Sequence, residues 1–365
     1  MEISNGSKIL PEKKRLEELD VLRGIAALTV VWYHFTFGFD FAYNGLSDNK
    51  SYFLYGYLGV HLFFIISGFV IFMTLERSKT VLDFIVSRIS RLYPAYWVAI
   101  ILTILMCAFF PALTHNKPLT IKQVLVNLTM LQHFFRITDV DGPYWTLAVE
   151  LVFYFLMTMV FVFKKLNQVQ IICSCWLLLS LAAALFNLPF EKYLNEMFIL
   201  FHAPLFIAGI NFYLLRKNIS RSKNLFAHIL IVTSFFIAAY IARTDKIMGE
   251  TWIIELVILL IYGVFYLFAF DKLSFLKIKI LVFFGTISYS LYLVHVNIGF
   301  AAITFLRQYT DNQFVYILIP LVICIFLSWM MVKFVEKPSL KYLRNLYAKN
   351  RNAKKQLIAG AVSNA

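Results

Sequence analysis

Charge is scarce in this chain, and acidic charge scarcest. Asp, Glu, Lys and Arg make up 15% of its 365 residues, with 34 basic against 20 acidic side chains, where a soluble domain carries about 25% charged residues. Apolar side chains take their place, at 61% of the chain and a mean hydropathy of +0.74. That balance excludes a soluble globular protein. Cysteine is also sparse. Cys107, Cys173, Cys175 and Cys324 sit in or beside apolar segments, C-S-C lacks the C-x₂₋₄-C spacing of a metal site, and no second pair recurs. Structural or inert thiols are expected, and no metal. No low-complexity linker and no internal repeat divides the chain. One membrane domain over 1–347 is expected, then a basic cytoplasmic tail, 348–365, expected to be mobile. The polar first 22 residues precede a full-length apolar span, so no cleavable signal peptide is expected.

Apolar runs long enough to cross a bilayer recur throughout. Ten spans are expected, near 23–42, 54–75, 94–112, 143–163, 169–188, 196–215, 226–243, 250–270, 280–305 and 313–335. The fold class is therefore all-α, a polytopic membrane bundle. Of the 34 Lys and Arg, 26 fall on the flanks that share a side with the N-terminus. The excess of positive charge on cytoplasmic flanks then places both termini in the cytoplasm, as expected of a multi-pass protein of the inner or plasma membrane. The net charge of +14 reads as this topology signal together with affinity for anionic membrane lipid. It requires no nucleic acid.

Inside the first span, Arg23 and His34 bracket ten mostly apolar residues. Eleven helical steps of 100° come to within roughly 20° of three turns and rise about 16 Å, so the two side chains share a face about half a bilayer apart. Ionisable groups at such depth are costly and mark function by default. The pair points to a membrane enzyme with anion binding at one surface and proton chemistry deeper in, since a neutral imidazole can take a hydroxyl proton near pH 7. Arg23 is otherwise an interfacial anchor, and Asp20 caps the helix or orients Arg23. Arg88 and Arg91 share a helical face and suit phosphate, or add to the topology signal. Tyr93-Pro94 is expected in the first turn of the third span. Glu150, inside the fourth span, needs a partner or a proton. It is a candidate to orient His34 or contact an acceptor, with a packed neutral carboxyl as the alternative. Trp145 could stack on a sugar. His61 and His295 are further candidates, His202 and His228 read as structural, and Ser67-Gly68 reads as close helix packing. The longest loop, 113–142, carries His115, His133, Arg136, Asp139 and Asp141. It serves either acceptor recognition or simple covering.

Four segments taken together resemble the membrane acyltransferase family 3, the bacterial surface polysaccharide O-acyltransferases. They are LDVLRGIAALTVVWYH at 19–34, YLGVHLFFIISGF at 57–69, RISRLYPAYW at 88–97 and WTLAVELVFY at 145–154, with echoes at SYSLYLVH (288–295) and VEKP (335–338). His61 departs from the pattern, standing where the family often has an acid, and no fused esterase-like domain is expected. The resemblance implies O-acetyl transfer from cytoplasmic acyl-CoA, acetyl-CoA above all, to a hydroxyl of an extracytoplasmic glycan or glycolipid. It implies Arg23, Arg88 and Arg91 at the donor phosphates, the donor's arm threading inward along the first helix, His34 as base, Glu150 as its tuner, and Trp145, His61 and His295 near substrate. Two other classes compete. A transporter or flippase of a glycan, acyl group or amphiphile would show inverted repeats with broken helices, which are not visible. A scaffold would leave His34 and Glu150 unexplained.

Overall fold

The computed structural model describes residues 16–43, 53–114, 118–186, 191–217, 221–244 and 250–363. His115 lies outside them. Every regular element among the described residues is helical, and ten helical stretches are long and apolar enough to cross a membrane. In chain order the α-helices are α1 (Glu17–Tyr33), α2 (Phe39–Tyr43), α3 (Gly59–Arg77), α4 (Val81–Phe109), α5 (Ile121–Asn127), α6 (Trp145–Val162) and α7 (Val169–Leu185). There follow α8 (Glu191–Phe198), α9 (Ala203–Lys217), α10 (Arg221–Thr244), α11 (Thr251–Ala269), α12 (Lys279–Leu306), α13 (Gln313–Met331) and α14 (Lys337–Ser363). The chain is an all-α multi-pass membrane bundle.

Three features position the functional residues. The first is a pair of backbone crossings made by glycine. A Cβ on Gly24 would lie 2.7 Å from the Gly285 nitrogen, and one on Gly285 would lie 2.0 Å from the Asp20 carbonyl oxygen, so α1 and α12 run in backbone contact. α3 and α9 cross the same way, where a Cβ on Gly68 would sit 2.1 Å from the Phe206 carbonyl oxygen. With no solvent-driven hydrophobic force between helices in lipid, such close approach is what holds them. We expect Gly68→Ala to cost about 3 kcal/mol through overpacking against backbone that cannot yield. The loss would be read as a lowered unfolding temperature of the purified protein; an unchanged temperature would mean that the crossing relaxes freely.

The second is the start of α4. The sequence suggests that the third span begins at Pro94, but Thr80 and Asp83 form a reciprocal capping box that starts the helix at Val81. This is the Thr-x-x-acid signature of a helix N-terminus. Pro94 is therefore interior to a 29-residue helix, and Arg88 and Arg91 lie two to three turns inside it.

The third is the long loop. It turns back against the bundle. Tyr93 Oη donates to the Thr129 carbonyl at 2.9 Å, Tyr96 Oη to that of Asn127 at 2.9 Å, and Trp97 Nε1 to that of Leu128 at 3.0 Å. These anchors stand about 18–24 Å along α4 from its start. The loop's backbone at that depth is thereby satisfied by protein, the condition for irregular chain within a membrane.

Candidate active site

A cavity of about 90 Å³ opens among α1, α3, α4, α6 and α12, with Arg23, Arg88, Arg91, Ser67, Glu150 and Tyr154 among its lining. The three arginines that the sequence nominates come from α1 and α4 and meet here. Arg23 Nη1 stands 3.8 Å from the Asp20 carboxylate. Arg88 is 8% exposed, donates from Nη2 to Ser87 Oγ at 2.9 Å, and leaves its buried Nε without a hydrogen-bond partner. Among the described residues neither Arg88 nor Arg91 is in an ion pair. A buried, unmatched guanidinium N–H costs desolvation energy unless a ligand completes it. The cavity's acid, Glu150, receives on Oε1 both the Ser67 hydroxyl and, at 2.7 Å, Tyr154 Oη. Three guanidinium groups against Glu150, with Asp20 beside Arg23, leave the cavity cationic and shaped for an anion.

Tyr292, on α12, lines the cavity. Its Oη donates to the Pro143 carbonyl at 3.1 Å and meets Thr146 Oγ1 at 2.8 Å. Beyond it stands a histidine pair. The Tyr292 and His295 rings lie 5.6 Å apart, and those of His295 and His34 4.9 Å apart.

His34 is the first residue of a π-helical turn, His34–Gly38, a distortion frequent at functional sites. Its Nδ1 lies 2.9 Å from the Val30 carbonyl, and His295 Nδ1 lies 2.8 Å from that of Tyr292. A carbonyl only accepts, so both Nδ1 atoms carry the proton. His295 Nε2, 3.2 Å from His34 Nδ1, is then an acceptor that shares the His34 proton. By this assignment His34 Nε2 keeps a lone pair for base chemistry.

The turn of α12 that carries His295 is clamped from the loop. Tyr144 Oη donates to the Leu293 carbonyl at 3.1 Å, and the Asn297 N–H donates to Asp141 Oδ2 at 3.3 Å. Burial pushes the Asp141 carboxyl up to about 7.

The structure distributes the residues that the sequence nominates as follows. Glu150 is bonded to Ser67 and Tyr154, and among the described residues no hydrogen bond joins it to His34. Arg23 is the only α1 residue lining the cavity, because the glycine crossing leaves no channel between α1 and α12. The cavity walls instead run along α3, α6 and α12. Ser67 is a cavity residue bonded to Glu150, while packing falls to Gly68 alone. His295 is fully buried against His34. Trp145 borders a different cavity, with His202 rather than His34. His61 lines neither cavity; its Nδ1 is buried without a partner, and its ring lies 6.4 Å from that of Tyr57. Tyr154, four residues after Glu150, and Tyr289 and Tyr292 in the SYSLYLVH segment were not singled out by sequence. Their signal is the i, i+4 spacing of Glu150 and Tyr154 on one helical face.

A cationic cavity among five helices of a membrane bundle, with a histidine pair nearby, is an arrangement that can hold an anion. A family model described as an acyltransferase domain matches residues 16–333, and the chain belongs to that family, acyltransferase family 3. It is 25% identical over 284 residues, 75% of this chain and 80% of the relative, to the ORF330 protein of Acidianus two-tailed virus, whose name provisionally makes it an acetyltransferase. It is 30% identical over 117 residues to the exopolysaccharide production protein ExoZ of Rhizobium meliloti (strain 1021), covering 31% of this chain and 36% of that one. No solved structure matches.

Proposed function

We propose that this membrane acyltransferase moves an acetyl group from acetyl-CoA, taken from the cytoplasm, to a hydroxyl of an extracytoplasmic glycan or glycolipid. In this reading it sits in the cell membrane with both termini cytoplasmic. The observation that carries the donor assignment is Arg88, buried with an unmatched Nε–H beside Arg23 and Arg91. Planar guanidinium forks pair with phosphate bidentately, and a nucleotide thioester supplies several phosphates. Its pantetheine arm would follow the α3–α6–α12 wall toward Tyr292, which must swing aside for the thioester to reach the histidines.

There His34 Nε2 accepts the proton of the acceptor hydroxyl as that oxygen bonds to the thioester carbonyl carbon. The carbonyl electron pair moves onto oxygen and returns as the C–S bond breaks. The departing sulfur takes the proton from His34, leaving an ester and a free thiol. His295 acts as a positioning residue for the His34 ring, and Glu150, with Ser67 and Tyr154, balances the arginines before donor arrives.

The test is acetyl transfer in cells expressing the protein, with envelope glycans analysed by mass spectrometry alongside cells lacking it. An added acetyl mass that depends on the protein supports the reading. Glycans without it, together with no turnover of acetyl-CoA in membrane vesicles, would reject it.

A further inference from the structure

A second cavity lies on the other side of α6, and no step of the transfer uses it. Thr146, Leu147, Glu150 and Tyr154 face the arginine cavity, whereas Trp145, Ala148, Val149 and Val152 face this one. Helical periodicity puts the two sets on opposite faces. Trp145 and Phe64, whose rings lie 6.3 Å apart, form the partition between the cavities.

The second cavity holds about 170 Å³, well above the roughly 10–15 Å³ that a single water needs. That admits one six-membered ring with its hydroxyls. Its floor is aromatic, because the half-buried Trp145 lies 5.5 Å from the His202 ring at an interplanar angle of 36°. Its other walls carry polar side chains: Glu196, His133, and Asn195, whose Oδ1 accepts from the Phe201 N–H at 3.0 Å and whose amide NH₂ can donate to a ligand. Nine-atom aromatic faces take the C–H face of a sugar, and a few placed polar groups fix its hydroxyls.

Two features mark the cavity as built rather than left over. Ile199, which lines it, is 2% exposed and has φ 46°. A β-branched residue in the left-handed region costs about 1–3 kcal/mol and persists where the surroundings impose it. This residue breaks the sixth span between α8 and α9, which sets Asn195 and Glu196 on one side of the cavity and His202 on the other. The wall opposite is also fastened. His133 Nε2 pairs with Asp139 Oδ2 at 3.1 Å, a hydrogen bond that raises the imidazole above its ordinary range. Arg136 reaches the Tyr193 ring on α8 at 5.2 Å, so the re-entrant loop and α8 are held together around the opening.

We propose that this cavity is a recognition subsite for one pyranose unit of the acceptor, bound on the Trp145 face with Glu196 and Asn195 on its hydroxyls. The inference rests on the glycan-acylating reading and adds to it the place and residues that select the acceptor.

The experiment uses the full chain in lipid nanodiscs and saturation-transfer NMR with the methyl and octyl pyranosides of glucose, galactose, mannose and N-acetylglucosamine. At least one is expected to receive saturation on its ring protons, with a fivefold or greater loss in Trp145→Ala and in Glu196→Gln. Glu196→Gln is isosteric on a half-buried helix, so it keeps the test valid if Trp145→Ala fails to fold. Binding of a methyl glycoside identifies a free glycan as the source, and binding of octyl glycosides alone identifies a lipid-linked one. Saturation of no glycoside, or equal saturation of wild type and Glu196→Gln, overturns the proposal. Titration of the same nanodiscs with acetyl-CoA tests the donor reading separately, so a failure there with sugar binding intact would fall on the function and not on the subsite.

Discussion

His34→Ala abolishes acyl transfer to within background, a loss of about 10²–10⁴ in rate, the range that a positioned general base contributes. Proton position decides the outcome. His34 Nδ1–H is fixed by the Val30 carbonyl at 2.9 Å and shared with His295 Nε2 at 3.2 Å, which leaves Nε2 as the basic nitrogen. Alanine removes that lone pair, and among the described residues His295 is the one ionisable side chain hydrogen-bonded to His34. His295→Ala costs less, about tenfold, because the Val30 carbonyl still fixes the tautomer. His295→Gln restores part of it by offering an acceptor to His34.

The sign of the pH dependence follows. A base works only when neutral, so turnover falls as pH drops through the imidazole titration, and in His295→Ala the position of that acid limb moves while donor KM does not. The measurement is the initial rate of acetyl-CoA turnover with acceptor present, from pH 5 to 9. An unchanged rate in His34→Ala removes it from the chemistry. An unshifted acid limb in His295→Ala reduces that residue to packing.

Ten apolar runs and the all-helical class were legible because each is a local property, set by composition over about twenty residues. The convergence of Arg23, Arg88 and Arg91 was half legible. Spacing puts Arg88 and Arg91 on one face, but only the backbone contact of Gly24 with Gly285 and the early start of α4 at Val81 bring both beside Arg23. The Thr80–Asp83 capping box was readable and outweighs the pull of Pro94 toward a helix start.

Contacts between residues far apart in the chain were not readable at all. Ser67 and Glu150 are 83 positions apart, and His34 and His295 are 261 apart. Neither periodicity nor propensity reports which faces of two apolar helices meet, because in lipid every face is apolar. The re-entrant course of the loop was hidden for a related reason. Its anchors, Tyr93, Tyr96 and Trp97, donate to backbone carbonyls, which carry no sequence signature.

Arg88→Ala raises the KM for acetyl-CoA by about 10–100-fold, since hydrogen bonds to charged groups contribute about 1.5–3 kcal/mol and each 1.4 kcal/mol is about tenfold in affinity. Arg88 is chosen over Arg23 because Arg23 already has the Asp20 carboxylate at 3.8 Å, whereas the buried Nε of Arg88 has no partner. Arg88→Lys recovers only part of the loss, because an ammonium is a point charge without the planar fork.

The substitution also removes a cation from beside Tyr154 and Glu150, so a general disturbance of the cavity must be told apart from lost phosphate binding. Acetyl-pantetheine, which has the thioester and its arm but no phosphate, makes that distinction. If Arg88 holds phosphate, its removal leaves the KM for acetyl-pantetheine within about twofold of wild type while that for acetyl-CoA rises, and the two donors converge in the variant. If both KM values rise together, Arg88 shapes the cavity instead, and the donor's phosphates are held by Arg91 and Arg23. High salt separates the cases again. A buried pair is screened far less than an exposed one, so a phosphate seated on Arg88 keeps the wild-type preference for acetyl-CoA at 0.5 M NaCl, whereas a preference set by surface charge at the cavity mouth collapses.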